Sequence, residues 1–165
     1  MAGHCWRVAQ RASSVGRKLG LDGQVLKDLY YSALLHDIGF LKVAGGWNMA
    51  RVLVMESPHM EQTHPLIGAD MIRGIDILRG ASALIPFHHE CYDGTGFPRG
   101  LKGDDIPIGG HVLSVIEYCE EMRMNGYAEE QVIDALRTES GKKFHPQVAD
   151  AYREVLQVEM TRTGA

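Results

Sequence analysis

What this chain of 165 residues lacks removes several classes of protein at once. No apolar run approaches the roughly 18 residues that a membrane-spanning helix needs, so membrane insertion is not expected. Cysteine is limited to Cys5, Cys91 and Cys119, an odd number without a Cys-x-x-Cys pair, which argues against a disulfide framework and fits a reducing compartment. Positive charge is not in excess: 17 basic against 21 acidic residues leave a net charge of −4, which argues against an extended basic face for duplex nucleic acid. A local cationic pocket for a small phosphate ligand stays open, and metal ions are a second source of such charge. Met1-Ala2-Gly3 leads straight into a polar segment without a signal-peptide pattern, so cytoplasmic is the expected location. Convincing strand alternation is missing throughout, and the expected fold class is all-α.

The composition that remains is ordinary for a globular protein, with 45% hydrophobic and 23% charged residues. The length fits a single domain, 1–165, long enough to bury about two-thirds of the surface of the unfolded chain. Val8, Ala12, Val15 and Leu19 recur at helical spacing before Gly20, which predicts a helix over residues 5–19 with His4 at its start. Because that helix begins almost at residue 1, the chain reads as an excised or truncated module. Asp22 is placed to cap a second helix, whose apolar face ends at His36-Asp37-Ile38-Gly39. Residues 40–60 are expected to be loop and a short helix, with an apolar stretch from Met49 to Met55. His64-Pro65 opens the next helix, since proline is tolerated in a first turn. A further helix runs over residues 75–88, kinked or limited by Pro86. Residues 108–123 form a long helix with Val112, Val115, Ile116 and Cys119 inward, and Glu117, Glu120 and Glu121 free for other duties. Helices over 128–137 and 146–160 complete the chain.

One stretch stands out. From His88 to Pro107 two adjacent histidines and Glu90 lead into a run holding four glycines and two prolines, a composition suited to a shaped loop and to no regular element. His4, His36, Asp37, His64, His88, His89 and Glu117 all fall at or near predicted helix ends or inner faces. Those are more ligands than one metal needs; they suit two ions about 3.5–4 Å apart, the arrangement that clamps an in-line phosphoryl displacement. Mixed imidazole and carboxylate ligation without thiolate favours iron or manganese over structural zinc. For His36-Asp37 alone, a buried histidine paired with its neighbouring carboxylate is the slightly favoured reading.

The order of these motifs resembles the HD-GYP family, a branch of the HD-domain metal-dependent phosphohydrolases. His4-Cys5-Trp6-Arg7-Val8 matches its H-x-x-R-V, Leu34-Leu35-His36-Asp37-Ile38-Gly39 its L-L-H-D-I-G-K, and His64-Pro65-Leu66-Ile67-Gly68 its H-P-x-x-G. The stretch from His88 to Leu101 matches H-H-E-x-x-D-G-x-G-Y-P-x-G-L. The resemblance implies a bundle of about six to eight helices around two or three divalent ions. It also implies hydrolysis of cyclic di-GMP, or a related cyclic dinucleotide, to linear dinucleotide or GMP by a metal-bound hydroxide. By matched position the ligands are His4, His36, Asp37, His64, His88, His89 and Glu117, with Asp37 bridging and Asp37 and His36 at the catalytic centre. Asp93, Gly94, Gly96, Phe97, Pro98 and Arg99 would shape the loop or touch substrate.

The departures fall on substrate contacts. Phe40 stands where the motif carries lysine, Glu117 where it carries aspartate, Phe97 where it carries tyrosine, and His111 where it carries arginine. The family's downstream arginine has no clear counterpart near Arg123. Each lost phosphate contact costs on the order of 1 kcal/mol or more. A degenerate module that binds metal or a partner protein in a regulatory or protein-interaction role, docking a signalling partner through the glycine-rich loop and Phe97, is therefore the second reading; under either reading the chain could pair as a homodimer.

Overall fold

The computed structural model describes residues 3–43 and 58–163, which are helical with connecting loops. Among them there is no β-strand, only an isolated bridge between Ser140 and Phe144, and the all-α expectation holds. Helix α1 spans His4–Lys18 and α2 spans Gly23–Leu35. Asp22 caps α2 as the sequence predicts: its Oδ1 accepts the Gln24 and Val25 backbone N–H groups at 2.9 and 3.0 Å. The two helices pack closely because Gly16 leaves room for Leu26 and Leu29, where a Cβ would lie 2.7 Å from Leu26.

Helix α3 spans Gly39–Val43 and α4 spans Pro58–Ile72. The apolar stretch from Met49 to Met55 lies outside the described residues. Helix α4 corrects one expectation: His64-Pro65 sits inside the helix, not at its opening, and Pro58 takes the first-turn position. A proline there forfeits one backbone hydrogen bond, a cost that packing of the surrounding turn offsets. That packing is a backbone crossing with α3, where a Cβ at Gly39 would lie 2.1 Å from the His64 carbonyl oxygen and 2.8 Å from the Gly68 nitrogen. The glycine after Asp37 is thus required by contact, and it sets His36-Asp37 against His64.

The helix expected over 75–88 is broken into three: a 3-10 turn at Asp76–Leu78, α5 at Arg79–Leu84, and a second 3-10 turn at Ile85–Phe87 that holds Pro86. After the glycine-rich loop, α6 spans Ile108–Met124, α7 spans Glu129–Thr138 and α8 spans Pro146–Thr163. Helix α6 runs through the middle: Val112, Leu113, Val115, Ile116 and Cys119 are buried against α1, α2 and α8. The core is completed by Val8, Val15, Leu29, Leu136, Phe144 and Tyr152.

Two of the glutamates on α6 are not solvated. Glu120 is 1% exposed and meets three arginines: Arg7 Nε at 2.9 Å, Arg11 Nε at 2.9 Å and Arg123 Nη1 at 2.9 Å. Arg123 also reaches Glu129 at the start of α7 and the Tyr152 hydroxyl on α8. A buried carboxylate is tolerated only when so paired, and this one joins four helices.

Candidate metal centre and cleft

The glycine-rich loop is held by a residue whose role the sequence did not reveal. Glu90 is fully buried, and its two carboxylate oxygens accept the backbone N–H groups of Arg99 at 2.8 Å and Leu101 at 3.0 Å. Its carbonyl accepts the Ser114 hydroxyl of α6 at 2.7 Å. Gly96 is required for closeness, since a Cβ there would lie 2.3 Å from the Cys91 nitrogen, and Gly94 for its positive φ of 85°. Asp93 closes the turn by accepting the Thr95 backbone N–H at 3.0 Å and its hydroxyl at 2.6 Å. The loop thereby fixes where His88 and His89 point.

All seven residues matched as ligands converge. The ligand atoms of His64, His88 and His89 lie within 4.8 Å of one another, and so do those of His4, His36 and Asp37. Glu117 joins two of the second group, with Oε1 3.1 Å from His4 Nε2 and Oε2 3.1 Å from His36 Nε2. Asp37 lies between the groups: Oδ2 is 3.3 Å from His36 Nε2 and Oδ1 is 3.6 Å from His64 Nε2. His64 Nε2 and His88 Nε2 stand 3.0 Å apart.

Backbone carbonyls orient two of the rings. His36 Nδ1–H donates to the Ala33 carbonyl at 2.8 Å and His88 Nδ1–H to the Ile85 carbonyl at 2.7 Å, so each presents Nε2 inward. This is how metal-ligating histidines are commonly held. The fit to metal is supported by buried atoms that protein does not satisfy: His36 Nε2 and Glu117 Oε2 face each other without hydrogen-bond alignment. Aromatic rings brace two other ligands. Phe40 stacks on His64 with centroids 4.0 Å apart, and Phe97 on His89 at 4.6 Å.

Four of the seven groups, Asp37, Glu117, His88 and His89, have charge states that suit cation binding. Burial opposes ionisation of Asp37, but the His36 charge outweighs it and holds the carboxyl at about 2. Glu117 is held well below the carboxylate range by the same partner, again against burial. Burial keeps His88 well below its ordinary value and, with His64 adding to it, puts His89 at about 4, so both are neutral lone-pair donors at pH 7. His36 goes the other way: burial disfavours its charge, yet Glu117 and Asp37 raise its pKa well above the ordinary value.

Two adjoining cavities open here. One, of about 540 Å³, is lined by His4, Asp37, Phe40, His64 and Glu117; the other, of about 410 Å³, by His88, Phe97, Tyr118, Lys142 and Lys143. Glu61, His89 and Glu121 border both. Glu61 and the two lysines were missed from sequence, whereas Glu121 is among the glutamates that the sequence leaves free for other duties. A Gly-Lys-Lys turn ahead of the last helix was the available signal for the lysines. Arg99, by contrast, sits over the Phe87 ring at 5.9 Å and lines a separate depression, and Pro98 and Gly94 shape the loop. The ring of Phe97, offered above as a docking anchor, is engaged within the chain by His89.

A family profile described as HD domain matches residues 1–148. A cyclic di-GMP phosphodiesterase of Thermotoga maritima is 27% identical over 166 residues, covering 96% of this chain and 45% of that protein. A response regulator of Xanthomonas campestris, named as a cyclic di-GMP phosphodiesterase, is 27% identical over 88% of this chain and 40% of its own length. The chain thus spans less than half the length of these relatives. Among solved structures, a cyclic GMP-AMP specific phosphodiesterase of Vibrio cholerae superposes with a TM-score of 0.78 at 19% identity, covering 98% of this chain and 45% of that one. An HD-GYP-type protein of Bdellovibrio bacteriovorus gives 0.73 at 23% identity, over 93% of this chain and 51% of its own. With the profile running through the matched motifs from His4 to Glu117 and into α8, the chain belongs to the HD-domain family.

Proposed function

We propose that this chain is the catalytic domain of a metal-dependent phosphodiesterase that hydrolyses cyclic di-GMP, or a closely related cyclic dinucleotide, to linear dinucleotide or GMP. One observation carries the reading: the two oxygens of Asp37 are divided between His36 on one side and His64 on the other. A carboxylate so placed would be available to two ions at once. His4, His36 and Glu117 would complete one ion's shell, and His64, His88 and His89 the other's, with iron or manganese favoured by the donor set. Ions held there would neutralise charge growing on the phosphoryl oxygens and lower the pKa of bound water.

The chain's own groups prepare for this. Asp37 stays ionised over the physiological range, His88 and His89 offer lone pairs, and Phe40 and Phe97 restrict the rotation of the rings they stack on. Free Cys5, Cys91 and Cys119 support a reducing, cytoplasmic setting. The names of the relatives support the substrate class. The second reading, a degenerate module without turnover, draws on Phe40, which replaces a cation with a ring. Incubation of the iron- or manganese-loaded protein with cyclic di-GMP and with cyclic GMP-AMP, followed by chromatography of products, separates the two. Linear dinucleotide or mononucleotide supports the enzyme; metal-loaded protein that leaves both intact supports the degenerate module.

A further inference from the structure

Among the described residues the cleft lacks the cations that the matched motifs would bring. Phe40 replaces one, and the guanidinium of Arg123 is occupied by Glu120 and Glu129. Two other cations line the smaller cavity together with His88 and His89: Lys142 and Lys143, in the turn between α7 and α8. The turn is fastened to the glycine-rich loop, since Tyr92 N–H donates to the Lys143 carbonyl at 3.0 Å and Asp93 N–H to the Lys142 carbonyl at 2.8 Å. Lys143 Nζ stands 4.0 Å from the ring centroid of Tyr118, the residue after Glu117 on α6. Both anchors belong to the machinery of the centre, so the position of this turn follows the ligands.

Four carboxylates, Glu61, Asp93, Glu121 and Glu139, line the same cavity, yet among the described residues neither lysine has a carboxylate at ion-pairing distance. Elsewhere on the surface Lys18 pairs with Glu154 and Arg137 with Asp134, while Lys27 and Lys102, like these two lysines, have no carboxylate at ion-pairing distance among the described residues. Two unpaired ammonium groups beside a bank of acids are positioned for an anion that must enter against those acids. Ions at the other end of the cleft would offset the acids there; among the described residues lining this cavity, only the lysines do so here.

We propose that Lys142 and Lys143 bind the second phosphate of a cyclic dinucleotide, the one that is not cut, while the centre around Asp37 receives the scissile one. The inference rests on the phosphodiesterase reading above. A diester with a single phosphate gains nothing from these lysines, which gives the test its contrast. Steady-state kinetics of the metal-loaded protein are compared on cyclic di-GMP and on bis(p-nitrophenyl) phosphate, for wild type, K142A/K143A and K142R/K143R.

The double alanine variant is expected to raise KM for cyclic di-GMP about tenfold with kcat little changed, the loss of charge-assisted contacts made in ground and transition state alike. Its kcat/KM on bis(p-nitrophenyl) phosphate should stay within about twofold of wild type, and the arginine pair should restore most of the affinity. An unchanged KM for cyclic di-GMP overturns the proposal, and so does an equal loss on both diesters, which would make the lysines supports of the fold. Failure of the underlying reading shows in the wild type alone, as cleavage of the small diester without any turnover of a cyclic dinucleotide.

Discussion

Asp37 sits where the two histidine groups meet, 38% exposed toward the cleft and held at about 2 by His36. Replacing it by asparagine keeps the shape and removes the charge that two cations would share. Asp37→Asn is expected to lower hydrolysis at least about 100-fold, beyond what losing an outer partner of a ligand costs, and to lower the metal content, while circular dichroism stays that of wild type. A variant with full turnover would remove Asp37 from the chemistry. The residues that converge here were legible because imidazoles and carboxylates at helix ends are costly unless they bind something, and their spacing follows four motifs in order. Glu90 and Glu120 were not legible, because what a buried carboxylate does depends on which backbone or arginine folding brings to it. Both lie near ligand residues in sequence and serve architecture, one clamping a loop and the other joining helices.

The glycine-rich loop and the helices beside it hold the histidines in place, and their integrity depends on a few hydrogen bonds. In Glu90→Gln one of the two accepting oxygens becomes an NH2 group facing a backbone N–H, of Arg99 or of Leu101. The expected cost is about 1–3 kcal/mol in chemical denaturation, and no loss would mean that the loop holds itself. Beneath the loop, His111 Nε2–H donates to the Gly103 carbonyl at 3.0 Å and its ring packs against His145, near Tyr92 and Asp104. Burial brings His111 down to about 4 and lowers His145 as well, so both are neutral in the folded protein. The unfolded chain takes up the proton near 6.5, so this contribution is complete above that value and is lost as pH falls toward 4. Wild type is expected to lose about 2 kcal/mol more stability than His111→Gln between pH 7 and pH 5; parallel curves would contradict the assignment. At this scale periodicity placed α1, α2, α6, α7 and α8, whereas α3 was not placed, α4 was expected to open only at His64 and the 75–88 helix breaks into three; the sequence could not weigh Pro65 against the Gly39–Gly68 crossing, a contact between distant segments. Pro86 read correctly because its effect is local.

Across the whole molecule, α6 is the axis: Glu117 turns toward the metal centre and Glu120, one turn on, toward the arginines of α1 and α6. Periodicity showed its apolar face, whereas the two uses of its glutamates depend on His4, Arg7 and Arg11 of α1, on His36 just past α2 and on Arg123 of α6 itself. If the centre binds its ions only in the folded chain, metal should raise the thermal midpoint and a chelator should lower it, by an amount that grows with metal affinity. The most direct test of the account is the number of metal ions per chain, measured by elemental analysis after loading with iron or manganese and removal of loosely bound metal. Two ions per chain are predicted, falling in Asp37→Asn. None in the loaded wild type, or a content indifferent to Asp37, would mean that the converging histidines serve the fold and that the proposed phosphodiester chemistry has no centre to run on.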